Sequence, residues 1–548
     1  MELSGPILLL VLLLVLLWLL YNKNTGRLPP GPLGFPLLGN LPQLDKHVPF
    51  KSMLQLSERY GPVMTLHLGW QRTVVLVGHE TVKEALVDNA DDFTGRMQLP
   101  FLVKATRGYG LGLSNGEAWR QLRRFTLTTL RDFGMGRTGM EAWTQEESTH
   151  LVARFQMQKA APFDPSFLLS GSVSNVICCL VFGQRYDYED ADFLQLLAIV
   201  SEMLQFLASP LGQMYNIFPW LTERLPGRQH KVFTKIEVVR SFIKEKVRQH
   251  QDSLVPALPR DYIDCFLNRI QQEKHCDSTD FFYENLVATV MDLFIAGTET
   301  SSSTIRYALS VLIKYPGVQE KMQQEIDAVI GRDRCVSMQD RKSMPYTDAV
   351  IHEVQRFLDM VPLNVPHYTL RDITFRGYTI PKDTIIVPLL HSVLKDETQW
   401  AHPQSFDPQH FLDHNGNFKK NAAFIPFSSA STFTSGYVED ARGKWRPLCL
   451  TSLQIEDAED LYIFGSLMAL AFLLLLGALW VRRFSMRMKN QHHEILEVAR
   501  HNGDKLAQVT KEQATLSDAA ARLVTKIDAE LGDRERLTRP NRARDDDD

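Results

Sequence analysis

Two uncharged apolar runs bracket the chain. Pro6 to Tyr21 reads PILLLVLLLVLLWLLY, with Glu2 ahead of it, Lys23 and Arg27 behind it, and no small-residue cleavage site. That pattern predicts a retained signal anchor over 1–22, with the rest of the chain on the cytosolic side. Leu461 to Val481 is a second uncharged run, of 21 residues, preceded by Glu456, Asp457, Glu459 and Asp460 and followed by Arg482, Arg483, Arg487 and Lys489. A bilayer core of about 30 Å needs about 20 apolar residues, so 461–481 is expected to be a transmembrane helix.

The patterning between and beyond these runs divides the chain further. Residues 23–44 carry Pro29, Pro30, Pro32 and Pro36 with Gly31, Gly39 and Asn40, which predicts a stiff, non-helical linker. From 45 to 428 the apolar positions recur mostly at helical spacing, with strand-like pieces at Val63–Leu68 and Thr73–Val77 and a long helical stretch from Asn285 to Lys314. The expected fold is mainly α with a small β region. A linker over 429–460 precedes the second apolar run. In the mixed-charge tail, 482–548, Val509, Leu516 and Leu523 repeat every seven residues, with Ala520 and Ile527 four residues after two of them. A short coiled coil, a surface helix and a disordered tail all suit that pattern.

Composition removes several classes of function. With 548 residues and 44% hydrophobic content the chain can bury a large core. Sixty basic against 64 acidic residues, a net charge of −4, leave no basic excess for nucleic acid. Cys178, Cys179, Cys265, Cys276, Cys335 and Cys449 form neither a C-x-x-C pair nor a metal-finger spacing. A reducing, cytosolic setting for the globular part fits that usage.

Candidate chemistry begins in the long helix. Ala296-Gly297-Thr298-Glu299-Thr300, followed by three serines, places poor helix formers in a helix interior. Threonine hydroxyls that bond back to the preceding turn are expected to open the backbone there, leaving room for a small ligand, with Glu299 and Thr300 as acid and hydroxyl for proton relay. A patch of small residues for close helix packing is the simpler alternative. Glu353 and Arg356 share a helix face at i and i+3. After them come Pro381-Lys382-Asp383-Thr384, Phe406-Asp407-Pro408-Gln409-His410-Phe411 and Phe424-Ile425-Pro426-Phe427, and upstream stands Trp119-Arg120-Gln121-Leu122-Arg123.

In that order these motifs resemble the cytochrome P450 superfamily. Pro29-Pro30-Gly31-Pro32 and Ile351-His352-Glu353-Val354-Gln355-Arg356 are similar to the microsomal family 2 branch, over residues 1 to about 428. The resemblance implies a haem b cofactor whose propionates are bound by Arg96, Trp119, Arg123 and His367. It implies a buried charge cluster of Glu353, Arg356 and His410, and oxygen activation at Glu299 and Thr300. It also implies insertion of one dioxygen atom into small lipophilic substrates such as xenobiotics, steroids or fatty acids. Electrons would come from NADPH through a flavin reductase at the endoplasmic reticulum membrane, with the globular domain cytosolic. The apolar residues Phe206, Leu207, Phe294 and Ile295 are expected near the substrate.

The chain departs from the pattern after Phe427. The family places Gly three, Arg five and Cys seven residues on; here those positions are Ala430, Thr432 and Thr434. Threonine supplies no thiolate for the iron. Cys449, 22 residues after Phe427, is the nearest substitute. The fold is therefore expected to stop short of the haem-cysteine loop and to continue as a membrane span that would put Arg482 and Arg483 in the lumen, against the positive-inside tendency. Two functions follow: a haem-thiolate monooxygenase by family, impaired in this chain, or a non-catalytic membrane-anchored splice, read-through or fusion product that binds haem weakly or binds only partner proteins.

Overall fold

The computed structural model describes residues 27–112, 114–134, 138–158, 163–276, 278–331, 334–428, 437–439 and 445–447. The expected anchor 1–22, the apolar run 461–481, the tail 482–548, Thr434 and Cys449 lie outside the described residues. Among the described residues no single helix is long and apolar enough to cross a membrane.

The chain first forms α1 (Pro49–Tyr60), with proline in its first turn, and then the hairpin β1 (Val63–Leu68) and β2 (Gln71–Leu76). Both predicted strands are present, paired antiparallel from Val63 opposite Leu76 to Leu68 opposite Gln71. The proline-rich stretch lies against β1. Thr65 donates its amide to the Pro30 carbonyl (2.9 Å) and its hydroxyl to the Pro29 carbonyl (2.8 Å), while Asn40 accepts the His67 amide at 2.7 Å. Prolines lack an amide donor, so this segment satisfies β1 through its carbonyls. A Cβ on Gly31 would fall 1.8 Å from the Thr65 carbonyl oxygen, which is why glycine stands between the prolines.

A short helix α2 (His79–Lys83) leads to β3 (Gly95–Arg96), followed by α3 (Pro100–Thr106), α4 (Gly116–Asp132), α5 (Thr138–Gln156) and α6 (Ser166–Phe182). Helices α7 (Ala191–Leu207), α8 (Pro210–Ile217), α9 (Pro219–Thr222), α10 (Arg228–Asp252) and α11 (Tyr262–Gln272) then precede the 32-residue α12 (Tyr283–Lys314). Starts are signalled locally: Asp190 caps α7 through the Phe193 amide, and Ser209 caps α8, which opens on Pro210.

After α13 (Pro316–Val329) and α14 (Pro345–Leu358) the chain returns to the sheet with β4 (His367–Tyr368), β5 (Ile373–Phe375), β6 (Tyr378–Ile380) and β7 (Ile385–Pro388), then α15 (Leu390–Leu394). The main sheet runs β1-β2-β7-β4-β3, with β2 and β7 parallel and the other neighbours antiparallel. A separate short hairpin, β8 (Tyr437–Glu439) and β9 (Trp445–Pro447), follows.

The largest core lies among the helices and includes Phe101, Phe206, Leu207, Tyr262, Phe266, Val290 and Phe294. Phe206, Leu207 and Phe294 are buried there and Ile295 packs against them. Smaller cores sit around the sheet, one of them closed by Trp400, Phe411 and Ile425.

Small residues set the spacing of α6 and α12. A Cβ on Gly297 would meet Ile177 Cδ1 at 2.7 Å, and Ser174 Oγ lies 2.7 Å from Thr298 Oγ1. The opened turn expected at Ala296–Thr300 is absent: α12 is helical throughout. The hydroxyls do bond back, Thr298 to the Phe294 carbonyl (2.7 Å) and Thr300 to the Ala296 carbonyl (2.6 Å). A carbonyl oxygen has two lone pairs, so it accepts a hydroxyl without giving up its helical partner.

Candidate active site

Three groups of predicted residues occupy distinct places. The first is built by the two-residue register of β3 on β4, which sets Arg96 opposite His367. Arg96 Nη1 is 3.3 Å from His367 Nε2, and His367 Nδ1 bonds the Phe93 carbonyl, so the ring carries its proton on Nδ1 and accepts from the guanidinium. Burial, and then the charge of Arg96, hold His367 well below the usual histidine range. One helix away, α4 stacks the Arg123 guanidinium on the Trp119 ring at 4.8 Å.

Arg96 and Arg123 are near enough to interact. Burial, and after it the charge of Arg123, pushes Arg96 down to about 9, while burial pushes Arg123 down to about 10. Both retain some accessible surface although they lie deep among protein atoms, so that surface faces an internal space. Two depressed guanidinium cations beside an indole and a neutral imidazole form a cradle for carboxylates.

The second group is closed on itself. Arg356 grips Glu353 with two bonds of 2.7 Å and spends its other donors on the carbonyls of Leu394 (2.9 Å), Pro403 (2.8 Å) and Ser405 (2.8 Å). Glu353 also accepts the Asp407 amide at 2.8 Å and His410 Nδ1 at 3.2 Å. Both charged side chains are fully buried, and the guanidinium lies 5.3 Å from the Trp400 ring. Burial raises the Glu353 pKa, but the hydrogen bonds from Arg356 and His410 outweigh it and hold the carboxyl below its ordinary range.

The third group lies on α12. Burial lifts Glu299 above the usual carboxylate range, against the Arg306 charge and a 3.4 Å bond from Ser303. Thr300 is buried, and one turn on, Thr304 Oγ1 lies 3.7 Å from Met360 Sδ. Asp292, seven residues before Glu299, escaped the sequence reading: burial pushes it up to about 7 even though it accepts the Gly112 amide at 2.8 Å. A second acid two helical turns before Glu299 was the available signal.

The cytochrome P450 family pattern matches residues 29–429, more than half of the chain. The chain belongs to the cytochrome P450 family. It is 49% identical over 425 residues to cytochrome P450 2G1 of Oryctolagus cuniculus, which covers 78% of this chain and 86% of that one. Against cytochrome P450 2C20 of Macaca fascicularis identity is 50% over 432 residues (78% and 88%), and against cytochrome P450 2C8 of Homo sapiens 48% over 432 residues (78% and 88%).

The P450 family implies haem and an NADPH-dependent reductase. The cation cradle fits the carboxylate edge of that group. The iron side does not fit equally: the position where the family places its cysteine is Thr434, outside the described residues. Among the described residues Cys178 and Cys179 sit on α6 and Cys265 on α11, and burial raises all three thiols, the opposite of what a ligating thiolate needs.

Proposed function

We propose that this chain is a P450-family monooxygenase body that holds haem by its propionates and lacks the thiolate for normal oxygen chemistry. Haem, when bound, supplies the iron at which dioxygen is activated. Arg96, Arg123, Trp119 and His367 orient its carboxylate edge, and Glu299 and Thr300 stand ready to pass protons on the α12 side. The Glu353–Arg356–His410 cluster pins the segments below. Small lipophilic substrates and a flavin reductase partner follow from the family; the apolar residues Phe206, Leu207, Phe294 and Ile295 agree with an apolar ligand. The observation that carries the impairment is the sequence after Phe427, where Ala430, Thr432 and Thr434 replace the glycine, arginine and cysteine of the loop.

Attachment to the endoplasmic reticulum membrane is supported from the body as well as from the apolar run 6–21. Leu33, Phe35 and Leu37 are exposed, as are Trp70 and Trp220. They adjoin: the Gly69 amide bonds the Leu38 carbonyl at 3.2 Å, and Trp70 meets Phe218 edge-on at 5.0 Å, next to Trp220. Exposed tryptophans amid aliphatic residues suit the bilayer interface.

The reduced carbon-monoxide difference spectrum of membranes carrying the full chain tests the reading, beside a control with the family loop restored after Phe427. The expected outcome is a red-shifted thiolate band in the control and none in the chain. A thiolate band in the chain, abolished by Cys449→Ser, would overturn it.

A further inference from the structure

Helix α3 joins two halves of the cation cradle, since it lies in sequence between Arg96 and Trp119. Its fastening to the rest of the molecule is mainly polar and converges on one atom. Glu223 Oε1 accepts both Lys104 Nζ of α3 (2.9 Å) and the Tyr215 hydroxyl of α8 (2.6 Å). The same Lys104 ammonium sits 4.7 Å from the Phe233 ring of α10 and 5.8 Å from the Tyr215 ring. A single carboxylate oxygen just beyond α9 thus ties α3 to α8, with α10 beneath the cation.

Three further links lie along the same seam. The Phe101 amide donates to Asn216 Oδ1 at 3.0 Å, the Ala105 carbonyl accepts from Arg240, and Arg107 pairs with Glu237 at 3.2 Å. Below them Phe101 contacts Phe206, Tyr215 and Phe233 at 5.1–6.2 Å between ring centres, so an aromatic layer is covered by a polar strap. The end of α3 is able to swing: Arg107 already has φ 58°, and Gly108 and Gly110 follow at 78° and 99°. Lys104 and Glu223 remain 41% and 45% exposed, so water reaches the fastening and competes for it.

We propose that Lys104, Glu223 and Tyr215 form a latch that holds α3 against α8 and α10 and sets how readily an apolar molecule passes between them to the core beside α12. The inference rests on the reading of that core as the ligand side, and it assigns specificity at admission to residues that touch neither haem nor the proton-relay pair. Molecules pass only when the carboxylate, ammonium and phenol separate together, because each of the three is satisfied by the others.

Hydrogen exchange on the full chain in membranes tests it without any need for haem or turnover, so failure of the monooxygenase reading leaves it intact. Glu223→Gln is expected to speed exchange of residues 100–106 and 210–217 about tenfold, the size of effect that losing an exposed ion pair with its cation–π contact produces. Residues 166–182 and 283–314 keep their protection. The charge exchange Lys104→Glu with Glu223→Lys restores slow exchange, and fluorescence-monitored uptake of pyrene quickens in Glu223→Gln alone. Unchanged exchange in α3 and α8, faster exchange throughout α6 and α12, or faster exchange with unaltered pyrene uptake would each overturn the proposal.

Discussion

The two charged constellations share a composition and differ in closure. Around Arg356, one guanidinium is met by a carboxylate with two 2.7 Å bonds and by three backbone carbonyls. Around Arg96, a second guanidinium, an indole and an imidazole come together with both arginines depressed by burial. A buried ion gains when its counter-charge belongs to the fold, and the site is then a register pin. When burial disfavours the ions and their remaining surface faces an internal space, the fold is arranged for an anion from outside. The contrast separates a structural site from a binding site without appeal to activity.

Removing one partner of the closed cluster should have the largest effect. Arg356→Ala leaves the Glu353 carboxylate buried and three carbonyls unmet, a class of change that costs about 3–5 kcal/mol. Such a loss is comparable to the whole stability of many domains. Denaturant unfolding of the full chain, or its yield in membranes, is expected to fall sharply. A loss below about 1 kcal/mol would mean that the cluster is not the pin its geometry implies.

The open cluster should respond in binding, with little change in stability. Metal-free protoporphyrin IX carries the two carboxylates and no iron, so it reads the cradle independently of any cysteine. Arg96→Gln and Arg123→Gln are each expected to weaken its binding, followed by fluorescence, about tenfold to a hundredfold, as the loss of one charge-assisted hydrogen bond does. Neither variant should unfold the chain, because removing a cation from a buried pair of like charges relieves as much as it costs. Equal affinity in both variants and the parent would show that the cradle is closed like its counterpart.

The two constellations were also unequally legible. Glu353 and Arg356 lie one turn apart, so the helix period displays the pair, although its burial depends on carbonyls at 394–405 that no local pattern announces. Arg96 and His367 are 271 residues apart and meet through strands of two residues, too short to show an alternating period. Only the family resemblance brought them together. The strands at 63–68 and 71–76 and the long helix were readable because each carries several periods. The opened turn expected in α12 failed because hydroxyl back-bonding was taken to replace helical hydrogen bonds, whereas it was added to them. The stiffness of the proline segment was evident, but its lodging on β1 was not, since carbonyl acceptors have no sequence signature. The latch carboxylate Glu223 sits in an irregular stretch and has no local signal at all.

The finest test of the comparison is pH. His410 faces an acceptor at each ring nitrogen, Glu353 at Nδ1 and the Ala401 carbonyl at Nε2. Burial and the Arg356 charge oppose its protonation, but these two bonds outweigh them and raise it above the ordinary histidine range. A group whose folded pKa is raised stabilises fully below its unfolded value, about 6.5, and loses that contribution as pH rises through the folded value. The stability of the parent should therefore decline upward from about pH 6.5, by less than either effect above. His410→Gln keeps a donor for Glu353 without a titrating proton and should flatten that decline. The comparison belongs below pH 8, because burial and then the Arg356 charge push Lys395 down to about 8. A depressed ammonium pulls the other way, raising stability as it loses its proton between its folded and unfolded values. His250, raised by its Asp261 bond and charge against the opposing pull of burial, titrates alike in parent and variant, so the difference between the two profiles isolates His410. Parallel profiles would mean that Glu353 and Arg356 close the cluster by themselves and that His410 only fills the space beside Trp400.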